Sequence, residues 1–232
     1  MQSTLANLQV IYEDNHLLVI NKRPGDLVQG DKTGDKPLVE LAKDYLKIKY
    51  NKPGAVFLGV VHRLDRPTSG LVVFARTSKA LSRLNGMFKN RDTEKIYWAI
   101  VSGMPPENEG FLEHFLIRNE KTNTSRAFEK EIKGSKIAQL QYRVVTLLDR
   151  YNLLEIKLIT GRHHQIRVQL STVGCIIKGD LKYGASRSNA DGGIHLHAKT
   201  LTITHPVTLE KMTFTAPPPL DPLWKTIGLL NK

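Results

Sequence analysis

Cysteine is almost absent from this chain, which contains Cys175 and no other. A single cysteine excludes a disulfide within the chain and any metal site built from several cysteines, and it is typical of a reducing compartment. Cys175 stands between Gly174 and an apolar pair of isoleucines. We therefore expect it to lie in the core and not to act as a nucleophile.

Long hydrophobic runs are also missing. No apolar stretch approaches the roughly 20 residues that a membrane-spanning helix needs. The first residues, MQSTLANLQVIYEDNHLL, contain no basic region followed by a long apolar block, so they do not resemble a secretory signal. We predict a cytoplasmic protein with no membrane partner.

Acidic residues are outnumbered by basic ones. The chain has 22 Asp and Glu against 34 Lys and Arg, a net charge of +12 and a sequence pI near 9.8. Such a charge favours a polyanionic partner, most simply a nucleic acid. A basic helix on a membrane surface is the competing explanation, but no strongly amphipathic cationic helix stands out.

The hydrophobic pattern predicts more strands than helices. Alternating or apolar runs bounded by turn residues indicate strands, and the first two, on either side of the turn at residues 13–15, are predicted to form a hairpin. In the strand KIYWAIVSG, alternation places Tyr97 on one face with Ala99 and Val101. Apolar residues at helical spacing indicate helices at residues 37–49, at 78–92 with Ser78 as the cap, and at 161–174, closed by Gly174. Consecutive strands joined by short links are typical of an α+β fold with a mixed, mainly antiparallel sheet flanked by helices and loops. Without internal repeats or a low-complexity linker, residues 1–232 are predicted to form a single domain.

The stretch GVVHRLDRPTSGLVVFA, residues 59–75, places charge between two apolar segments. Arg63 and Arg66 flank Asp65, and Pro67 follows. Fixed cations on both sides favour the ionised carboxylate, which can act as a nucleophile or a base. An aspartate that merely ties down a turn through its side chain fits the same residues.

A second cluster, TGRHHQIR, covers residues 160–167 and begins a predicted helix. Arg162 and Arg167, together with backbone N–H groups at the helix start, could bind a phosphate or a carboxylate such as Asp65. A solvated basic face is the alternative. His163 and His164 are adjacent, so they point in different directions and make poor joint metal ligands.

Two other enzyme classes fit poorly. The letters HRLD are similar to a protein-kinase catalytic loop, but the glycine-rich loop and the Asp-Phe-Gly segment are missing at the required places. A phosphodiesterase that uses His163 and His164 would need a partner carboxylate or a metal set, and neither is evident. His195 and His197 lie two apart on a predicted strand, and we interpret them as packing or hydrogen-bonding residues.

Several motifs, in order along nearly the whole chain, resemble those of the RluA family of RNA pseudouridine synthases. HRLDRPTSG is similar to the family signature, and TGRHHQIRVQLSTVGCIIKGDLKYG resembles the block that ends in Gly-Asp-x-x-Tyr-Gly. The segments INKRPG, KIYWAIVSG, LHAKTLTITHP and MTFTAPPP resemble further family segments. INKRPG departs from the family pattern, with an extra residue before the proline and no small residue after it.

The resemblance implies a pseudouridine synthase fold that isomerises uridine in ribosomal or transfer RNA without a metal or organic cofactor. It implies Asp65 as the catalytic carboxylate, Arg167 as its partner and Tyr97 beside the uracil ring. It further implies that Arg63 enters the RNA, and that Arg162 and His164 shape the same wall. The remaining predicted RNA-binding residue is Arg66.

Many relatives carry a small RNA-binding module before the catalytic domain. Because the first predicted strand begins within about ten residues, we expect no such module, and RNA affinity then comes from the basic surface of the catalytic domain. We expect a monomer that needs no protein partner. The alternative function is a catalytically inactive RNA-binding or ribosome-assembly factor on the same scaffold, although a pure binder has no need for Asp65, Tyr97 and Arg167 together.

Overall fold

A computed structural model describes residues 2–31 and 33–230, the last four of them by backbone alone. The chain divides into two compact units. The first is built from residues up to 93 together with residues 198–218, and the second from residues 94–197 with those from 219 onward. Within the described ranges, no helix is both long and apolar enough to cross a membrane.

The first unit contains a mainly antiparallel group of strands and two helices. The strands are β1 (Val10–Glu13), β2 (Leu17–Lys22), β3 (Gly59–Val60), β4 (Ser69–Ala75), most of β11 (Leu196–Thr204) and β12 (Lys211–Thr215), and the helices are α1 (Leu38–Lys49) and α2 (Ser78–Asn90). β2 pairs with β1 and β4, β3 pairs with β4, and β11 pairs with β12, all antiparallel. The hairpin predicted for the first two strands is confirmed.

Every residue of β2 and β4 is buried. Strands buried on both faces contain long apolar runs and do not alternate, which explains the runs LLVI and LVVFA. Leu17, Val19 and Val73 pack with Leu84 of α2 and Phe214 of β12 in one core cluster. The charged stretch between β3 and β4 therefore joins strands that are held in the core.

Two details of the first unit refine the sequence-based picture. The N-cap of α2 is Thr77, whose hydroxyl accepts a hydrogen bond from the Ala80 N–H at 3.1 Å, whereas Ser78 was expected as the cap and is the first helical residue. Gly70 has a positive φ of 113°, and a Cβ there would lie 2.4 Å from the Ala198 carbonyl oxygen. Only glycine lets β4 approach the β11 backbone so closely.

The second unit contains an antiparallel sheet in the order β5-β9-β8-β6-β7, with β10 paired to β5. Its elements are β5 (Glu94–Ser102), β6 (Glu109–Asn119), β7 (Thr124–Phe128), β8 (Lys136–Leu147), β9 (Asn152–Leu158), α3 (Gln165–Thr172), β10 (Ile176–Ile177), a single 3-10 turn (Leu181–Tyr183) and α4 (Pro222–Leu230). With four helices in the described chain and mainly antiparallel strands, the predicted α+β class is confirmed.

The core of the second unit includes residues of α4, β5 and β9. Trp224 of α4 packs on Ile100 and Leu153. Cys175 is fully buried, as expected, and burial raises the pKa of its thiol to about 11. His195 stacks on Trp224 with ring centroids 5.4 Å apart and lies 3.3 Å from the Asp221 carboxylate, which confirms its packing and hydrogen-bonding role.

Candidate active site

The turn that carries Asp65 lies between β3 and β4. The Thr68 N–H donates to the Asp65 carbonyl at 3.0 Å, so Asp65 is the first residue of a tight turn. The Arg66 guanidinium lies 2.6 Å from the Asp35 carboxylate in a pair that is partly exposed on both sides. Arg63 is exposed. The two flanking arginines therefore differ in setting, with Arg63 open to solvent and Arg66 in an ion pair with Asp35.

His62 anchors the start of the same turn. The Val73 N–H donates to His62 Nε2 at 3.1 Å, so the neutral ring carries its proton on Nδ1. The ring stacks on Phe88 of α2, with centroids 4.7 Å apart and planes 17° from parallel. These contacts with β4 and α2 hold His62, and with it the backbone that leads to Asp65.

Lys22 binds the backbone of the turn, and the sequence did not identify it as a site residue. Its side chain is 1% exposed, and its ammonium donates to the carbonyls of Arg23, Asp26 and Arg66 at 3.0, 2.9 and 3.0 Å. Burial lowers the pKa of Lys22 to about 7, against the opposing charges of Asp26 and Asp65. The segment INKRPG therefore holds the backbone directly after Asp65.

We expect Lys22→Met to destabilise the protein by about 2–4 kcal/mol at pH 7, because buried carbonyls lose their donor. Below about pH 7 the folded protein carries the full cost of a buried ammonium, and this cost disappears as the pH rises towards the ordinary lysine value of about 10.4. The free energy of unfolding of the parent should therefore increase relative to the variant between pH 7 and 9. Urea unfolding at several pH values measures the difference.

Lys79→Met is the matched control, since Lys79 is exposed on α2. Its free energy of unfolding at pH 7 should stay within about 0.5 kcal/mol of the parent. If the difference in free energy of unfolding between the parent and Lys22→Met became smaller as the pH rises, the assignment of Lys22 as a buried cation would be contradicted.

Tyr97 lies in the middle of β5 and pairs with Ile156 of β9. Its side chain is buried on the same face as Ala99 and Val101, as the alternation in KIYWAIVSG predicted. A buried aromatic ring on a central strand is held in one orientation by its neighbours. Tyr97 is therefore a rigid part of the second unit.

Arg167 lies in the first half of α3 and is 4% exposed. Its Nε and Nη2 lie 2.6 and 2.7 Å from the two carboxylate oxygens of Asp180, which is 1% exposed. The guanidinium carbon also lies 5.1 Å from the centre of the Tyr183 ring. Asp180 and Tyr183 belong to the motif Gly-Asp-x-x-Tyr-Gly, which the sequence analysis noted without assigning roles to its side chains.

The corner before α3 is built from hydrogen bonds to side chains. The Gln165 side-chain oxygen accepts from the Thr160 hydroxyl at 2.7 Å and from the Arg162 N–H at 3.0 Å. The Arg162 Nε donates to the Ile137 carbonyl at 2.9 Å. Arg162 is thus anchored to β8 through one nitrogen of its guanidinium.

His164 adopts a left-handed backbone conformation, with a φ of 53°, at the N-cap position of α3, where its side chain makes no capping hydrogen bond. The Tyr183 hydroxyl accepts from the Ser125 N–H at 2.7 Å and shares a hydrogen bond of 2.9 Å with His164 Nδ1. The ring stacks on His163 with centroids 3.8 Å apart. Burial, followed by the charge of Arg167, lowers the pKa of His164 to about 2, so the ring is neutral.

The predicted site residues thus fall into two groups. The first unit holds Arg63, Asp65 and Arg66 in the segment between β3 and β4. The second unit holds Tyr97 on β5 and a compact group around the start of α3. That group consists of Arg162, His164 and Arg167. Across residues 2–31 and 33–230, no three His, Cys, Asp or Glu side chains form a group that could hold a metal ion.

The chain is similar to known RNA-modifying proteins. The family model described as RNA pseudouridylate synthase matches residues 16–172. The chain is 33% identical to ribosomal large subunit pseudouridine synthase D of Zymomonas mobilis, over 97% of this chain and 74% of that protein. It is also 33% identical to ribosomal large subunit pseudouridine synthase C of Vibrio vulnificus, over 92% and 67%.

Two solved human structures share the fold. Human RNA pseudouridylate synthase domain containing 1 superposes with a TM-score of 0.74 at 25% identity, over 97% of this chain and 89% of that one. Human RNA pseudouridylate synthase domain containing 4 superposes with a TM-score of 0.78 at 24% identity, over 96% of this chain and 93% of that one. The match of the family model over residues 16–172 and the two relatives at 33% identity show that the chain belongs to the RNA pseudouridylate synthase family, as its RluA-type motifs predicted.

Proposed function

We propose that this enzyme isomerises one or more uridines of ribosomal RNA, with Asp65 as the catalytic carboxylate. The observation that carries the proposal is the family membership of a chain that also contains Asp65, Tyr97 and Arg167 at the positions of the family motifs. Ribosomal RNA is favoured over transfer RNA because the names of two relatives specify the large ribosomal subunit.

The reaction exchanges bonds within one nucleotide. The bond between uracil N1 and ribose C1′ breaks, the uracil turns, and its C5 forms a bond to C1′. C5 then loses its proton and N1, which carries no proton in uridine, gains one, so substrate and product are isomers and no oxidant or organic cofactor is consumed. Asp65 can either attack C1′ or promote loss of the neighbouring ribose proton, and both routes use an ionised carboxylate.

Two further side chains act with Asp65 in this proposal. Arg167 pairs with the carboxylate and keeps it ionised and oriented. Tyr97 stacks on the uracil, and its hydroxyl assists removal of the C5 proton. The burial of Tyr97 and Arg167 supports these roles, since both side chains are held in fixed orientations.

RNA binding is assigned to the basic surface. Arg63 is exposed and enters the RNA when the target uridine leaves its stack, a step that costs a few kcal/mol. Arg66 and Arg162 contact phosphates. His164 is buried and neutral, so it contributes shape and hydrogen bonding to the wall of the site but no charge.

We further propose that residues 1–232 work as one catalytic domain, as a cytoplasmic monomer without an obligatory protein partner. The proposed function is tested by mapping pseudouridines in total RNA from cells with and without the gene, followed by reaction of the purified protein with the unmodified RNA. We expect a ribosomal uridine to lose its modification and the protein to restore it. Loss of a transfer-RNA modification would identify the other substrate class, and binding without any modification would favour the inactive RNA-binding factor.

A further inference from the structure

The ion pair between Arg167 and Asp180 is the most completely buried one that the structure describes in the second unit. It is bidentate, with Nε to Oδ2 at 2.6 Å and Nη2 to Oδ1 at 2.7 Å. A bidentate pair fixes the plane of the guanidinium as well as its position. Because the fork geometry is rigid, an arginine held through Nε and Nη2 directs its Nη1 hydrogens away from the bound carboxylate.

The Asp180 carboxylate is itself held in place by its backbone. The Asp180 N–H donates to the Ile177 carbonyl at 3.0 Å, and the Asp180 carbonyl accepts from the N–H groups of Tyr183 and Ala185, both at 3.0 Å. Gly179 precedes it with a φ of 87°, and a Cβ there would lie 2.6 Å from the Asn189 side chain. These bonds fix the backbone from which the Asp180 side chain extends towards Arg167.

Tyr183 restrains the same guanidinium from its face. Its ring lies 5.1 Å from the guanidinium carbon, within the range of a cation–π contact. Its hydroxyl is engaged by the Ser125 N–H at 2.7 Å and by His164 Nδ1 at 2.9 Å, so the ring cannot move away from the guanidinium without breaking both bonds. Arg167 is therefore held on one edge by a carboxylate and on one face by an aromatic ring.

We propose that Asp180 is a positioning residue for the isomerisation, which sets the orientation of the remaining N–H groups of Arg167. This inference rests on the proposed function, in which Arg167 pairs with the catalytic carboxylate. A buried ion pair is a weak source of stability, since well-packed apolar residues often replace one at no cost. Its bidentate geometry instead fixes the orientation of the guanidinium. Orientation affects the rate strongly, because a positional error of about 1 Å can slow a reaction roughly 100-fold.

The experiment compares Asp180→Asn and Asp180→Glu with the parent in single-turnover reactions at saturating RNA, using an RNA that the parent modifies. We expect both variants to form pseudouridine about 100-fold more slowly while their Kd for the RNA stays within about threefold. The asparagine removes the charge and one acceptor, and the glutamate keeps the charge but displaces it by a methylene group. A normal rate in the folded glutamate variant overturns the proposal even if the asparagine variant does not fold.

A double-mutant cycle separates positioning from a general structural role. If Asp180 acts through Arg167, Asp180→Asn should slow the reaction by less than about threefold in an Arg167→Lys background, since coupled residues are strongly non-additive. An equal loss in both backgrounds would overturn the proposal.

Asp221→Asn is the matched control in the same unit. Asp221 accepts from the N–H groups of Leu223 and Trp224 at 2.9 and 3.1 Å and bonds to His195, so its role is to cap α4. This variant should lose stability and keep the parent rate at saturating RNA. If the parent itself modifies no RNA, the proposed function fails; if the parent is active and both Asp180 variants match it, only the positioning role fails.

Discussion

Asp65→Asn should reduce pseudouridine formation by about 10⁴-fold or more, the scale seen when an enzyme loses its reacting group. Asparagine has nearly the same shape but carries no negative charge, so it can neither attack C1′ nor assist loss of the neighbouring proton. The Asp65 carbonyl that closes the turn with the Thr68 N–H is retained. RNA affinity should therefore stay within a few fold, measured by filter binding beside single-turnover kinetics.

Asp44→Asn serves as the control for this prediction. Asp44 is exposed on α1, in a pair with Lys36 at the surface, so the same chemical change should leave the rate unaltered. A normal rate of isomerisation in Asp65→Asn would show that Asp65 is not the catalytic carboxylate. Parallel loss of RNA binding and activity would instead identify it as the aspartate that merely secures the turn.

Arg167→Ala is expected to cost about 3–5 kcal/mol of stability, because it leaves the Asp180 carboxylate buried without its partner. It also removes the contact with the Tyr183 ring. For a chain of 232 residues this corresponds to a fall in Tm of roughly 6–20 °C. Pseudouridine formation should be lost as well, since the proposed partner of Asp65 is gone, and both effects are measured on the same preparation by calorimetry and single-turnover kinetics.

Arg143→Ala provides the comparison for an arginine in an exposed pair. Arg143 lies 2.7 Å from Glu155 on the sheet of the second unit, but its side chain is 62% exposed. Water and salt screen such a pair, so its loss should cost less than about 1 kcal/mol and should leave activity unchanged. Equal melting temperatures for Arg167→Ala and the parent would show that the buried pair does not contribute to the fold as described.

Local patterns predicted most of the secondary structure. The hairpin of β1 and β2, the helices α1 and α2, the two faces of β5 and the end of α3 at Gly174 follow from periodicity, turn residues and glycine at a positive φ. The cap of α2 was placed one residue too late. Ser and Thr are both good caps, and the backbone conformation of Thr77 decides between them.

The residues that hold the site residues in place could not be predicted in the same way. Lys22 bonds the Arg66 carbonyl across 44 residues, and Asp180 meets Arg167 across 13 residues after the chain has passed through α3 and β10. Propensity and periodicity describe neighbours along the chain and contain no information on such partners. The resemblance marked GDLKYG as a family segment, but the pairing of its aspartate with Arg167 required coordinates.

The amino-acid sequence by itself determined the family, the α+β class, the cationic character and the candidate residues Asp65, Tyr97 and Arg167, because motifs, composition and periodicity are properties of the linear chain. The tertiary structure decided which groups hold these residues. Burial and hydrogen-bond geometry make Lys22 and Asp180 the partners that hold the site in place, and burial keeps the His164 ring neutral. Those properties arise only when distant segments fold together and exclude water, and it is this exclusion that fixes a charged side chain in one orientation.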